Sequence, residues 1–348
     1  MVKKVYNAID AFKFLSAILI IALHVNPFKG ISEPLALIFR NMVSIIAVPF
    51  FFTTSGFLFF KKLNASKNQT EVVKNYVLRL LKMYLTWSLV YFPFVVLEWV
   101  SEGVNVLTYL RDFFFEGSYS TIWFLNASIW AVLFVYFLYK KLNLKQVFLI
   151  SFIFYMVGCG LSYYYYPIIK IPLFEKLGNL YYSFFKTTKN GLLFGAVYFA
   201  LGAILAKNDL KLKVKSCIVG VVISFIVLCV ESIIIPKLGY LNKGVDLKIS
   251  LVPFSYFLVK LLEQIELPNH KIYKWFRAMS INMFLSQRLF LSIYPLIIPS
   301  SSIIITSKLI YFALILLSTC LFSWVMIIVS EKIKNIRNCS YEKGKLNA

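Results

Sequence analysis

The amino-acid sequence predicts an all-α polytopic membrane protein with about ten transmembrane helices and both termini cytoplasmic. Three observations predict it. Hydrophobic residues make up 60% of the 348-residue chain and charged residues only 15%, with a mean hydropathy of +0.76, which is too apolar for a soluble protein of this size. The apolar residues fall into ten runs, at 8–26, 41–60, 83–100, 122–140, 146–164, 191–206, 216–235, 249–264, 279–297 and 308–330. The 37 Lys and Arg are distributed unevenly between those runs: 23 lie at the two termini and in alternate connections, 11 in the other connections, and Lys13, Lys260 and Arg288 inside spans. By the positive-inside rule the richer set is cytoplasmic.

Each span follows from its own residues. The first, Asp10 to Asn26, is apolar apart from Asp10, Lys13 and His24. Lys13 and His24 are eleven residues apart, about three helical turns, so they share a face roughly 16 Å apart along the axis. Asp10 is the neighbour of Lys13 on that face. Such a stripe faces protein or water rather than lipid; the plainer alternative makes Lys13 a snorkelling anchor and His24 a hydrogen-bonded interface residue. Pro49, Pro93 and Pro253 interrupt the ladders of the second, third and eighth spans, which neighbouring helices can compensate. The connection from Lys61 to Lys82 is densely basic, which suits topology and lipid headgroups, or equally a polyanionic ligand.

Span seven carries a single carboxylate, Glu231, at the same expected depth as His24. A carboxylate that fixes the imidazole tautomer makes it a better general base, so Glu231 is a candidate partner of His24; the alternative is that it faces the outer headgroups. Arg288, in span nine, could pair with Glu231, with Glu98 or with substrate.

Composition also excludes. A net charge of +22 would suggest nucleic acid in a soluble chain, but no groove of interleaved basic and aromatic residues is present, and the charge reads as topology and contact with membrane lipids. The five cysteines have neither paired nor metal-like spacing, so neither a disulfide framework nor a metal site is expected. Lys3 and Lys4 precede the first run as in a signal peptide, but no small-residue cleavage site comes after it, and the run reads as an uncleaved span. The chain thus divides into a transmembrane domain, 1–335, and a short basic cytoplasmic tail, 336–348.

Five elements resemble the acyltransferase-3 family of integral membrane acyltransferases. D-A-F-K-F-L-S-A-I-L-I-I-A-L-H keeps the family's spacing between a basic residue and a histidine, with Lys13 in place of the usual Arg. V-P-F-F-F-T-T-S-G-F (from Val48), Y-V-L-R-L-L-K-M-Y-L-T-W (from Tyr76), I-W-F-L-N-A-S-I (from Ile122) and K-N-G-L-L-F-G-A-V-Y-F-A-L-G (from Lys189) are similar to its later elements, in the same order. Span nine departs: S-I-N-M-F-L-S-Q-R places Gln287 and Arg288 where many members have His and Pro.

The resemblance implies acyl transfer, commonly of acetyl, from cytoplasmic acyl-CoA to a hydroxyl of a cell-envelope carbohydrate, in the cytoplasmic membrane and with no permanently bound cofactor. It implies that Lys13, with Arg79 and Lys82 as lesser contacts, meets the CoA headgroup. His24 takes the acceptor proton or accepts the acyl group, and Lys189 positions the acceptor or stabilises the oxyanion. Asn126, Ser55 and Gly56 are assigned to helix packing. The acyl group passes directly to the glycan or through a separate polysaccharide-biosynthesis protein. A lipid-linked sugar transporter or flippase, and a silent family member in envelope assembly, are the alternatives.

Overall fold

The computed structural model describes residues 5–346, apart from 104, 208–211 and 239–242. Lys3, Lys4 and Lys211 of the charge argument, and the last two residues of the basic tail, lie outside the described residues. The elements run in order as α1 (Asn7–Val25), α2 (Glu33–Ile38), α3 (Ala47–Asn64), α4 (Gln69–Glu102), α5 (Val106–Phe115), α6 (Trp123–Lys141), α7 (Leu144–Leu161), α8 (Tyr165–Ile169), α9 (Pro172–Phe184), α10 (Ala196–Lys207), α11 (Val214–Lys237), α12 (Leu251–Gln264), α13 (Lys271–Ile297), α14 (Ile303–Thr306) and α15 (Lys308–Leu346). Each of the ten expected spans overlaps one of these helices. Seven helical segments among the described residues are long and apolar enough to cross a membrane. The helix α15 runs unbroken into the expected tail.

The helix α1 is the centre of the bundle, packing on α3, α12, α13 and α15. Within its apolar window 61% of residues are buried, against 17–28% for α4, α7, α11 and α15, which therefore form the lipid-facing ring. It ends where Asn26 adopts a left-handed conformation (φ 53°) and its N–H bonds Ala22 O at 2.8 Å, with Pro27 next.

Two local expectations are corrected. Pro253 does not interrupt a ladder: it lies in the first turn of its helix, where the missing N–H would have no intrahelical partner, whereas Pro49 stands inside a continuous helical segment, 33–64, that changes from π-helical to 3-10 to α-helical turns just before it. Pro93 is deep inside α4, which continues through it. The basic stretch before span three is not a loop from Lys61 to Lys82. Asn68 caps α4, its Oδ1 accepting from Glu71 N at 3.1 Å, and the helix runs on from Gln69 because no breaker interrupts it.

The tightest helix contact lies between α3 and α10. A Cβ on Gly202 would sit 2.4 Å from Phe57 N, and one on Gly56 2.8 Å from Phe199 Cα. The two backbones meet as in small-residue membrane packing. Thr53 and Thr54 beside them satisfy their hydroxyls by donating to Pro49 O and Phe50 O, both at 2.9 Å. We expect Gly202→Leu to separate α3 from α10 at a cost of about 3 kcal/mol or more. A lowered thermal midpoint of the purified protein in detergent checks this.

Candidate active site

The face of α1 that carries Asp10, Lys13 and His24 meets two separate polar environments. At the first end, the Asp10 side chain is only 3% exposed. It accepts from Arg277 of α13, whose Nε lies 3.0 Å from both carboxylate oxygens and whose Nη2 also donates to Oδ2. Lys13 Nζ stands 4.0 Å from Asp10 Oδ1, so two cations share one buried carboxylate. Asn7 donates to Leu267 O (3.1 Å) and Pro268 O (3.0 Å), which fixes the start of α1 against the α12–α13 connection. Arg79 of α4 is a further charge near Lys13; its guanidinium lies 5.1 Å from the Tyr76 ring centroid. Lys82 is exposed on α4 and makes no ion pair among the described residues. Sequence reasoning counted Arg277 only as a loop charge. The available signal was that one carboxylate in an apolar helix needs more than a lysine at three residues' distance.

At the second end, the exposed imidazole of His24 faces a cavity of about 40 Å³, together with Thr121, Trp123, Lys189, Asp246 and Phe284. Lys189 Nζ is 3.2 Å from Asp246 Oδ2 and 5.8 Å from the Trp123 ring centroid. The residues after Lys189 fix its backbone. Asn190 Oδ1 accepts from Leu192 N and Leu193 N at the start of a π-helical turn, Gly191–Gly195. A Cβ on Gly191 would lie 2.6 Å from Ala127 O, so this turn presses directly on α6. Among the described residues the buried Thr121 Oγ1 meets no hydrogen-bond partner within bonding geometry. The charged groups around His24 are Arg288, Lys189, Asp246 and Arg40. Arg288 rests 5.8 Å from the Tyr119 ring centroid with its Nε unbonded, and the neighbouring Gln287 is fully buried.

The expected pairing of Glu231 with His24 is corrected. Glu231 accepts from Ile249 N (2.8 Å), Ser250 N (3.0 Å) and the hydroxyls of Ser250 and Tyr164. A carboxylate near a helix end takes the N–H groups that the next connection leaves unbonded, and these fill both its oxygens. Depth along α11 was legible; the direction in which the side chain points was not. The carboxylate that shares the His24 cavity is Asp246, in the connection leading to α12. Asn126 likewise serves structure, its Nδ2 donating to Phe113 O (2.8 Å) and Phe114 O (3.1 Å).

A larger cavity of about 340 Å³ adjoins the first and shares Trp123 and Lys189 with it. Trp99, Tyr109 and Tyr119 line it with Glu98, Asp112, Glu116 and Lys186. Its rim is pre-built. Glu116 accepts from Lys186 N and Thr187 N, both at 2.8 Å, and Lys186 Nζ donates to Asp112 Oδ2 at 2.7 Å. Burial pushes the Glu116 carboxyl above the usual range. Gly117 has φ +105°, and a Cβ there would lie 2.5 Å from Trp123 Cα, so the rim folds tightly onto the shared wall.

With this geometry in place, the sequence model described as an acyltransferase domain matches residues 6–328. The chain belongs to the acyltransferase-3 family. An acyltransferase-3 domain spread over these apolar helices makes the chain a multi-pass membrane protein. Curated relatives include two amino-acid racemases of Enterococcus faecalis. One is 30% identical over 214 residues (61% of this chain, 30% of the racemase) and the other 32% over 209 residues (59% and 30%). A serine/alanine racemase of Enterococcus gallinarum is 24% identical over 229 residues (65% and 33%). The acyltransferase-3 chain thus spans about a third of the length of these relatives. No solved structure matches it.

Proposed function

We propose that the protein transfers an acyl group, acetyl in the first instance, from cytoplasmic acyl-CoA to a hydroxyl of a cell-envelope carbohydrate. The observation that carries this is the shared wall. The cavity that exposes His24 and the cavity large enough for an acceptor meet at Trp123 and Lys189, while the cationic cluster of Lys13, Arg277 and Arg79 stands at the other end of α1. The Lys13 end is cytoplasmic and takes the polyanionic CoA headgroup. The thin thioester arm reaches along α1 towards His24.

The acceptor lies in the larger cavity, its sugar ring against Trp99 or Trp123, with the reacting hydroxyl at the shared wall. His24 removes the hydroxyl proton as the oxygen attacks the thioester carbonyl. A C–O bond forms, the C–S bond breaks, and the imidazolium returns its proton to the departing sulfur. Lys189 and Arg288 stand where the carbonyl oxygen gains negative charge. The curated relatives are named for amino-acid racemases, so serine is tested as an acceptor beside glycans.

The experiment uses the protein in nanodiscs with radiolabelled acetyl-CoA and an envelope-glycan extract. Label moving to glycan supports the proposal. Donor binding without transfer to glycan or serine overturns the acceptor assignment, and no donor binding overturns the reaction. In the same assay Lys13→Glu should raise the KM for acetyl-CoA about tenfold or more while Lys13→Arg stays near wild type, since each lost charge contact to an anion is worth about 1.5–3 kcal/mol. An unchanged KM in Lys13→Glu removes Lys13 from donor binding.

A further inference from the structure

We propose that Asp246 is a working member of the reacting centre and that Glu231 and Lys248 are positioning residues acting through it. The inference rests on the acyl-transfer reading above. Asp246 belongs to a short connection between α11 and α12 that is held far more firmly than a linker needs. On one side Glu231 takes two consecutive backbone N–H groups, of Ile249 and Ser250, and the Ser250 hydroxyl. On the other side Lys248 is fully buried, and its Nζ donates to Asn41 O (2.6 Å) and Ser232 Oγ (2.8 Å) and lies 4.9 Å from the Tyr163 ring centroid. The Lys248 carbonyl accepts from Tyr155 OH at 2.8 Å. Leu247 is also fully buried, and a Cβ on Gly158 of α7 would come within 2.7 Å of it. Two helices, α7 and α11, and the segment before α3 thus hold the residues immediately after Asp246.

Burying an ammonium, and holding a half-buried carboxylate beside it, is costly unless the geometry they impose is used. They set the position of the Asp246 carboxylate, 3.2 Å from Lys189 and on the wall of the His24 cavity. Among the described residues the other charged groups that act on His24 are cations: Lys189, Arg288 from α13, and Arg40 from the segment before α3. When His24 takes the hydroxyl proton it becomes a further cation among them. Asp246 is the anion that offsets this charge, and it also holds the Lys189 ammonium at the shared wall. A charge that works by preorganisation must not drift, and the two anchors prevent drift.

The test combines transfer kinetics with hydrogen exchange on the nanodisc protein. Asp246→Asn should lower kcat about 100-fold with the KM for acetyl-CoA within about twofold of wild type. Glu231→Gln should lower kcat to a similar extent and accelerate amide exchange in the 243–250 peptide. The double variant should be no slower than Asp246→Asn alone, because both act on one unit. Ser250→Ala, which removes only one of the donors to Glu231, should show the same pattern more weakly and stands in if Glu231→Gln does not fold. Multiplicative losses in the double variant, or lost activity with exchange at 243–250 unchanged, overturn the positioning role. A wild-type protein that moves no label overturns the acyl-transfer reading itself, and this proposal with it.

Discussion

His24→Ala should abolish acyl transfer, by a factor of about 100 to 10,000, while the protein stays folded in the membrane. The size reflects removal of the group proposed to relay the acceptor proton to the departing sulfur. The fold should survive for a structural reason: among the described residues the imidazole makes no hydrogen bond or ion pair, and it is exposed to the cavity rather than packed in the core. Truncation therefore enlarges a space that already exists. Transfer is measured with radiolabelled acetyl-CoA, and folding by the thermal midpoint of the same preparation. An active His24→Ala would place the chemistry elsewhere, and an inactive but unfolded one would return His24 to a structural role.

The second large effect is on stability. Arg277→Ala leaves Asp10, with a side chain 3% exposed, facing Lys13 at 4.0 Å as its remaining ion-pair partner. Breaking a buried pair by removing one member costs about 3–5 kcal/mol, and the Arg277 side chain is itself 48% exposed, which points to the lower end. The contact also joins α1 to α13, so its loss loosens the helix that carries His24. We expect a clear fall in thermal midpoint, partly restored by adding Asp10→Asn, because the second change removes the uncompensated charge. A double variant less stable than either single would refute the charge argument and leave packing as the cause.

The features legible in the sequence were those that one helix determines alone. Lys13 and His24 share a face because of their spacing, and the structure keeps them at opposite ends of that face. The helical spans were legible because a bilayer demands long apolar runs. The partners were not, because they come from other helices and depend on rotation about the helix axis. Glu231 shows this: it is near one end of its helix, yet it holds a loop instead of an imidazole. Asp246 and Arg277 were passed over as ordinary connection charges, though one shares the His24 cavity and the other holds Asp10. Proline was misjudged at Pro253 because its effect depends on where the helix starts, and the preceding turn moved that start. Lys189 was singled out by its motif; its salt bridge to Asp246 crosses from a distant connection and leaves no local signal.

The smallness of the His24 cavity has a consequence for economy. At about 40 Å³ it has room for only a few water molecules. A thioester brought to a histidine in open solvent would be hydrolysed wastefully whenever no acceptor was present. In the reaction proposed above, the acceptor hydroxyl would reach the base from the roomier chamber across the tryptophan wall, into a space with little room for water beside it. On that proposal, the tight fit beside the base would favour a donor that stays intact between acceptors.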